Sequence, residues 1–201
     1  MRTYNGEFLT RPALEALGVT CTGDDVRVHV SVVIVNPPGL YLGDHVRVDP
    51  FCVLSATGNI KLHNYAHIAG HCTLMGAGGI EMEDYTNLSH GVRVFSATDD
   101  TIGRHIAGAT IPAAFRSVRS APVTFKRHSA VGAGAVILPG VTLGEGAIVG
   151  WNSMVRKSVP DWTLWLGVPA KRVGKRRKDL LELERLLVRT GANSAEKPPS
   201  L

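Results

Sequence analysis

The stretch Val131-Gly-Ala-Gly-Ala-Val-Ile-Leu-Pro-Gly-Val-Thr-Leu-Gly-Glu-Gly-Ala-Ile-Val-Gly150 carries an aliphatic residue at every sixth position: Val131, Ile137, Leu143 and Val149. The spacing continues to Val155 on one side and Phe125 on the other. Before an interruption it reads Thr22, Val28, Ile34, then Leu42, Val48, Leu54, then Leu62, Ile68, Leu74, then Met82, Leu88, Val94. Four places after most of these stands a second small or apolar residue, as in Val46, Cys52, Ala66, Cys72, Val92, Ala135 and Ala147. An amphipathic helix repeats about every 3.6 residues and an alternating strand about every 2, so neither explains a period of six. A hexad is one short strand plus a corner, unable to bury its apolar side alone, and stacked copies supply the cover. The expected fold is therefore all-β: a parallel β-helix, triangular in section, with a protruding loop and a short C-terminal helix.

From about Val19 to Ala97 each of four coils is two residues longer than three hexads. The surplus falls at Asn36-Pro37-Pro38-Gly39, Thr57-Gly58-Asn59 and Gly76-Ala77-Gly78-Gly79, all turn-forming chemistry, so the same corner is enlarged in each coil. Residues 98–121 break the pattern and read as an excursion; segments of that length in a compact domain are usually functional. Hexads then run without surplus from Val123 to about Val159, followed by a terminal segment from Trp162 to Val173. The expected organisation is a cap over 1–18, a β-helix domain over 19–175, and a C-terminal helix with a disordered tail over 176–201. The cap holds a helix near Arg11 to Leu17, with Thr10 placed to cap it and Pro12 in its first turn. The second helix, Lys178 to Val188, lines Leu180, Leu181, Leu183, Leu186 and Leu187 along one side.

The 201 residues carry a net charge of +5, which suits a partner bearing phosphates, although much of it sits in the run Lys171, Arg172, Lys175, Arg176, Arg177, Lys178. No basic strip with interleaved aromatics points to nucleic acid. The N-terminus lacks a basic-then-apolar leader, and no run approaches the roughly 18–20 apolar residues of a transmembrane helix, so a cytoplasmic location is expected. Cys52 and Cys72 share one hexad slot in successive coils and read as small hydrophobes; no CxxC spacing suggests a metal.

The segments Val131–Gly150, Ser153-Met-Val-Arg-Lys157, Gly167-Val-Pro-Ala-Lys171 and Phe95-Ser-Ala-Thr-Asp-Asp100 together resemble the hexapeptide-repeat acyltransferases, in their sugar O- and N-acetyltransferase branch. The likeness covers roughly residues 20–175. It implies a left-handed β-helix, against the usual right-handed crossover, and a homotrimer with sites in clefts between subunits. It also implies acyl transfer from acetyl-CoA to a sugar amine or hydroxyl, with a nucleotide-linked amino sugar of surface polysaccharide or O-antigen biosynthesis as the first choice of acceptor.

Direct transfer needs a slot for pantetheine, a base for the nucleophile's proton and a donor for the developing oxyanion. Gly132, Ala133 and Gly134 keep one corner small enough for pantetheine to lie along backbone amides, and the glycines also permit tight corners. The resemblance places the backbones of Ala133 and Trp151 against the cofactor and Arg156, Lys157 and Lys171 toward its phosphates; Trp151 stands where the family usually has a small residue. Where many relatives carry a histidine after a Ser-Ala-Thr-like turn, this chain has Asp99. An aspartate titrating near 3.9 is a weaker base than a histidine near 6.5. Because a neutral amine supplies its own lone pair, Asp99 favours N-acylation, with its carboxylate taking the ammonium proton. His90, in Asn87-Leu88-Ser89-His90-Gly91, and His105, in the excursion, are the rival bases and favour O-acylation; His90 is expected to face the same cleft as Asp99. Tyr85, Asn87 and Asp100 are candidates for sugar binding. His45, His63, His67, His71 and His128 read as surface residues. A non-catalytic scaffold is the remaining alternative; a carbonic-anhydrase-like centre would need about three converging imidazoles.

Overall fold

The computed structural model describes residues 7–190. The first six residues of the expected cap, and the tail beyond Thr190, lie outside it. Three sheets wrap one core. The first face stacks Leu40–Leu42, Ile60–Leu62, Ile80–Met82, Val123–Phe125 and Thr142–Leu143; the second stacks Arg47–Val48, His67–Ile68, Asn87–Leu88, Ala130–Val131 and Ile148–Val149. The third stacks Val33–Val35, Val53–Ser55, Thr73–Met75, Arg93–Phe95, Val136–Ile137 and Met154–Val155. Neighbouring strands in these stacks are parallel, with Leu42 beside Leu62 and Leu62 beside Met82 before the excursion, and Val131 beside Val149 after it. A coil is thus twenty residues long in the first half and eighteen in the second.

The sixth-position residues point inward. Leu62, Met82, Phe125 and Leu143 on the first face, Ile68, Leu88 and Val149 on the second, and Leu54, Leu74 and Ile137 on the third are at most 2% exposed. The small residues four places on, such as Val46, Cys52, Ala66 and Cys72, are wholly buried at the corners. The Cys52 thiol donates to the Ala69 carbonyl at 3.2 Å and Cys72 to that of Ser89 at 3.1 Å. The hydrogen bond with Cys52, then burial, push the Cys72 thiol up, so it stays protonated.

The first coil departs from the sixth-position rule. Cys21 pairs with Leu42 and points inward, whereas Thr22 is exposed and its hydroxyl donates to the Leu42 carbonyl at 3.2 Å. The hydroxyl finds an acceptor outside and the thiol takes the apolar place. Helix α1, Arg11–Ala16, lies over this end and buries Leu14 completely. Thr10 precedes it but makes no side-chain capping bond; Arg11 instead pairs with Glu15 at 2.7 Å and Asp24 at 2.8 Å. At the other end an antiparallel hairpin, Thr163–Gly167 with Ala170–Lys175, joins the second face, and helix α2 follows at Leu180–Thr190.

The enlarged corner lies between the third and first faces. A Cβ on Gly39, Gly58 or Gly78 would collide with the carbonyl of Ala56, Ala77 or Ser96 in the next coil, so only glycine lets these turns stack. The excursion leaves from this corner as an arm whose root pairs Ala97–Asp99 antiparallel with Val118–Ser120. The Ala121 amide donates to the Ser96 carbonyl at 2.8 Å and closes the arm. Val123 then pairs with Ile80 as if nothing had been inserted.

Candidate active site

The corner between the second and third faces, here the open corner, stacks Pro50, Gly70, His90, Ala133 and Trp151 in successive coils. Each coil is tied to the next by one backbone bond: Gly91 to the Gly70 carbonyl at 3.0 Å, Gly134 to His90 at 2.9 Å and Asn152 to Ala133 at 2.8 Å. The amides of Gly70, His90, Ala133 and Trp151 donate to nothing among the described residues. Trp151 is 72% exposed and His90 is also exposed. A Cβ on Gly132 would press on the Trp151 amide at 2.7 Å, and one on Gly134 would overlap the Asn152 side chain, so both glycines serve coil stacking as well as a small corner. Ser89 immediately precedes His90 and is half-buried. The sequence reading did not single it out, and its corner position was the signal available.

Below this column a cleft of about 260 Å³ collects Arg156, Lys157, Lys171 and Arg172 around Trp165 and Pro169. Three of these cations were expected; Arg172 joins them because the terminal hairpin sets it beside Lys171. Four cations around an apolar floor can receive a phosphorylated group.

Asp99 and Asp100 stand at the root of the arm. Asp99 accepts from the Gly108 amide at 3.2 Å and has an Arg116 guanidinium nitrogen 3.9 Å away. Asp100 accepts from the amides of Ile102 and His105, both at 2.8 Å, and meets the His105 ring at 3.3 Å. The Ile102 amide is the main influence holding the Asp100 carboxyl below the usual carboxylate range. Asp100 thereby organises the arm's own turn, while Asp99 is half-exposed beside a cleft of about 320 Å³ that also borders His105, Arg104 and Arg119. Within one chain His90 and Asp99 lie on different corners with strand Arg93–Phe95 between them, so they do not share a cleft in the way expected.

Tyr85 is likewise placed elsewhere, at the corner between the first and second faces. There His45, Tyr65, Tyr85 and His128 stack ring on ring, with centroids 4.6, 4.9 and 5.1 Å apart. All four have φ between 54° and 61°. The left-handed backbone costs about 1–2 kcal/mol per residue, and stacked rings return a comparable amount. Tyr85 is therefore a rung of a ladder away from the open corner, and Asn87 is exposed on the flat face between the two. The amides here are also occupied: Asp44 donates to Asn64, Asn64 to Asp84 and Glu145 to Asp161, each at 2.9 Å. His128 is not a surface residue; it is 8% exposed, because α2 packs over it and the Glu184 carboxylate accepts from its ring at 2.8 Å. Burial, then the guanidinium groups of Arg127 and Arg176, push the imidazole down to about 4. Glu184 is also paired with Arg127.

No protein-family model matches the sequence. The structure is similar to that of a serine-to-cysteine variant of AntD, an N-acyltransferase from Bacillus cereus, solved with dTDP-4-amino-4,6-dideoxyglucose and coenzyme A: 34% identity, TM-score 0.89, covering 93% of this chain and all of that one. AntD has also been solved with dTDP and 3-hydroxybutyryl-CoA, and with an aspartate or a serine replaced. Among curated proteins, a dTDP-4-amino-4,6-dideoxy-D-glucose acyltransferase of Escherichia coli is 34% identical over 98 residues, 49% of this chain and 51% of that protein. WbbJ of Escherichia coli K12, a provisionally assigned lipopolysaccharide biosynthesis O-acetyl transferase, is 37% identical over 70 residues, 35% of this chain and 36% of that protein. The matched region thus spans about half or less of these curated relatives.

Proposed function

The chain belongs to the hexapeptide-repeat sugar acyltransferases and folds as a left-handed parallel β-helix. On that premise we propose that it transfers an acyl group from acyl-CoA to the amine of a nucleotide-linked amino sugar. The observation that carries this reading is the open corner: a row of unused backbone amides running up from a cluster of four cations. Arg156, Lys157, Lys171 and Arg172 hold the phosphates, the amides of Trp151 and Ala133 bind the pantetheine carbonyls, and the His90 amide faces the thioester oxygen as negative charge grows on it. The amine nitrogen bonds to the acyl carbon, the carbon–sulfur bond breaks, the ammonium proton passes to Asp99, and the thiolate takes a proton from solvent. In AntD the replaced serine and aspartate stand ten positions apart, the separation of Ser89 and Asp99 here, which supports giving both a role at the site.

Because His90 and Asp99 sit on different corners of one chain, the arm of one subunit completes the open corner of a neighbour in a homotrimer. The outer side of the third face, with Val33, Val35 and Met75 exposed, suits that contact. The acceptor belongs to surface-polysaccharide or lipopolysaccharide biosynthesis and the enzyme to the cytoplasm, where acyl-CoA is made. O-acylation is the second reading, favoured by the exposed His90 ring on the open corner itself. Release of free thiol from acyl-CoA in the presence of amino-sugar nucleotides tests the proposal. Turnover confined to hydroxyl acceptors would overturn it. Asp99→Asn should lower kcat by about 10²–10⁴-fold with coenzyme A affinity unchanged.

A further inference from the structure

Two ring ladders among the described residues diverge from their third rung onward. At the corner of Tyr85 the stack is continuous over four coils. At the open corner Phe51 and His71 stack at 5.1 Å, with an interplanar angle of 25°, and the equivalent position in the next coil is Gly91. Gly91 has φ 67°, the same left-handed backbone as Phe51 and His71, both at 62°. A Cβ built on Gly91 meets no heavy atom within 4 Å beyond its chain neighbours. The rung below, at Gly134, is already filled by the Asn152 side-chain oxygen. One rung is thus empty, between the lower face of the His71 imidazole and Asn152, beside the unused His90 amide.

We propose that this empty rung is the slot for the acyl group, that the His71 ring roofs it, and that it takes acyl chains longer than acetyl. The inference rests on the acyl-CoA reading above. With the phosphates in the cation cleft and the thioester at the His90 amide, a group attached to the carbonyl carbon lies beside Gly91 in the same coil, beneath the His71 ring. Coils stack about 4.8 Å apart, so one missing rung leaves the thickness of an extended alkyl chain against an imidazole face. A rung occupied by a side chain, as at Tyr85, would leave no such space.

Equilibrium binding of coenzyme A, acetyl-CoA and butyryl-CoA by calorimetry tests this without an acceptor. The slot predicts that butyryl-CoA binds about tenfold more tightly than coenzyme A, through burial of its methylene groups. Gly91→Asn fills the rung with a residue that tolerates the left-handed backbone, as Asn152 does at φ 50°, and should erase that preference while leaving coenzyme A affinity unchanged. His71→Asn, which removes the roof, should weaken it several-fold. Equal affinity of the wild type for all three ligands, or a butyryl preference that survives Gly91→Asn, overturns the slot while the acyl-CoA reading stands. No binding of any of the three overturns both.

Discussion

Two corners of one prism are built from the same hexads and end with opposite surfaces. At the corner of Tyr85, aromatic rings fill every coil from His45 to His128, carboxylate and amide side chains occupy the backbone donors, and α2 packs across the lower end. At the open corner the equivalent positions are Phe51, His71, Gly91 and Gly134, and the amides of His90, Ala133 and Trp151 make no hydrogen bond among the described residues. The lesson is that a repeat makes its donors at every corner, and the side chain in the next coil decides whether a given donor is sealed or offered to a ligand.

The most severe way to break this contrast is to remove one offered amide. Pro50 already occupies the slot equivalent to His90, so His90→Pro keeps the backbone path and deletes only the N–H and the imidazole. Loss of one oxyanion donor should reduce kcat by about 10²–10³-fold. His90→Ala, which retains the amide, should lose less than tenfold; an equal loss in both variants would make the ring the essential group and favour O-acylation.

A second test works on the sealed corner through pH. With the folded-state pKa of His128 depressed to about 4, its neutral form contributes stability that is present above about pH 6.5 and is lost as pH falls toward 4. The loss amounts to at most about 3 kcal/mol. Urea denaturation across that range should show it, and His128→Asn should flatten the curve. Tyr85→Asn should cost about 1–2 kcal/mol of stability through lost stacking, and kcat/KM should be unchanged, because Tyr85 stands on a different corner from the open amides. Lys171→Ala should weaken coenzyme A binding by about tenfold and leave kcat alone, because one of four cations is removed from a contact equal in ground and transition states.

The core was legible in the sequence because burial at every sixth position leaves a mark in composition, and the enlarged corner because turns need Gly, Asn and Pro. The slip from Thr22 to Cys21 was not, since the first coil has only one stacked neighbour to hold its register. Nor was the burial of His128, which depends on Glu184, 56 residues away in sequence. The expectation that His90 and Asp99 face one cleft failed within a single chain because hexads repeat by thirds, and adjacent hexads face different sides. The sealing of the Asp44 and Asn64 amides was written in the sequence twenty residues later, at Asn64 and Asp84, as a relation between coils rather than within one.

The arm's antiparallel root is closed on the solenoid side by the 2.8 Å bond between the Ser96 carbonyl and the Ala121 amide, so the solenoid beneath keeps its register whatever hangs beyond it. Residues 97–120 can therefore be exchanged as a cassette while the coils on either side keep their stacking.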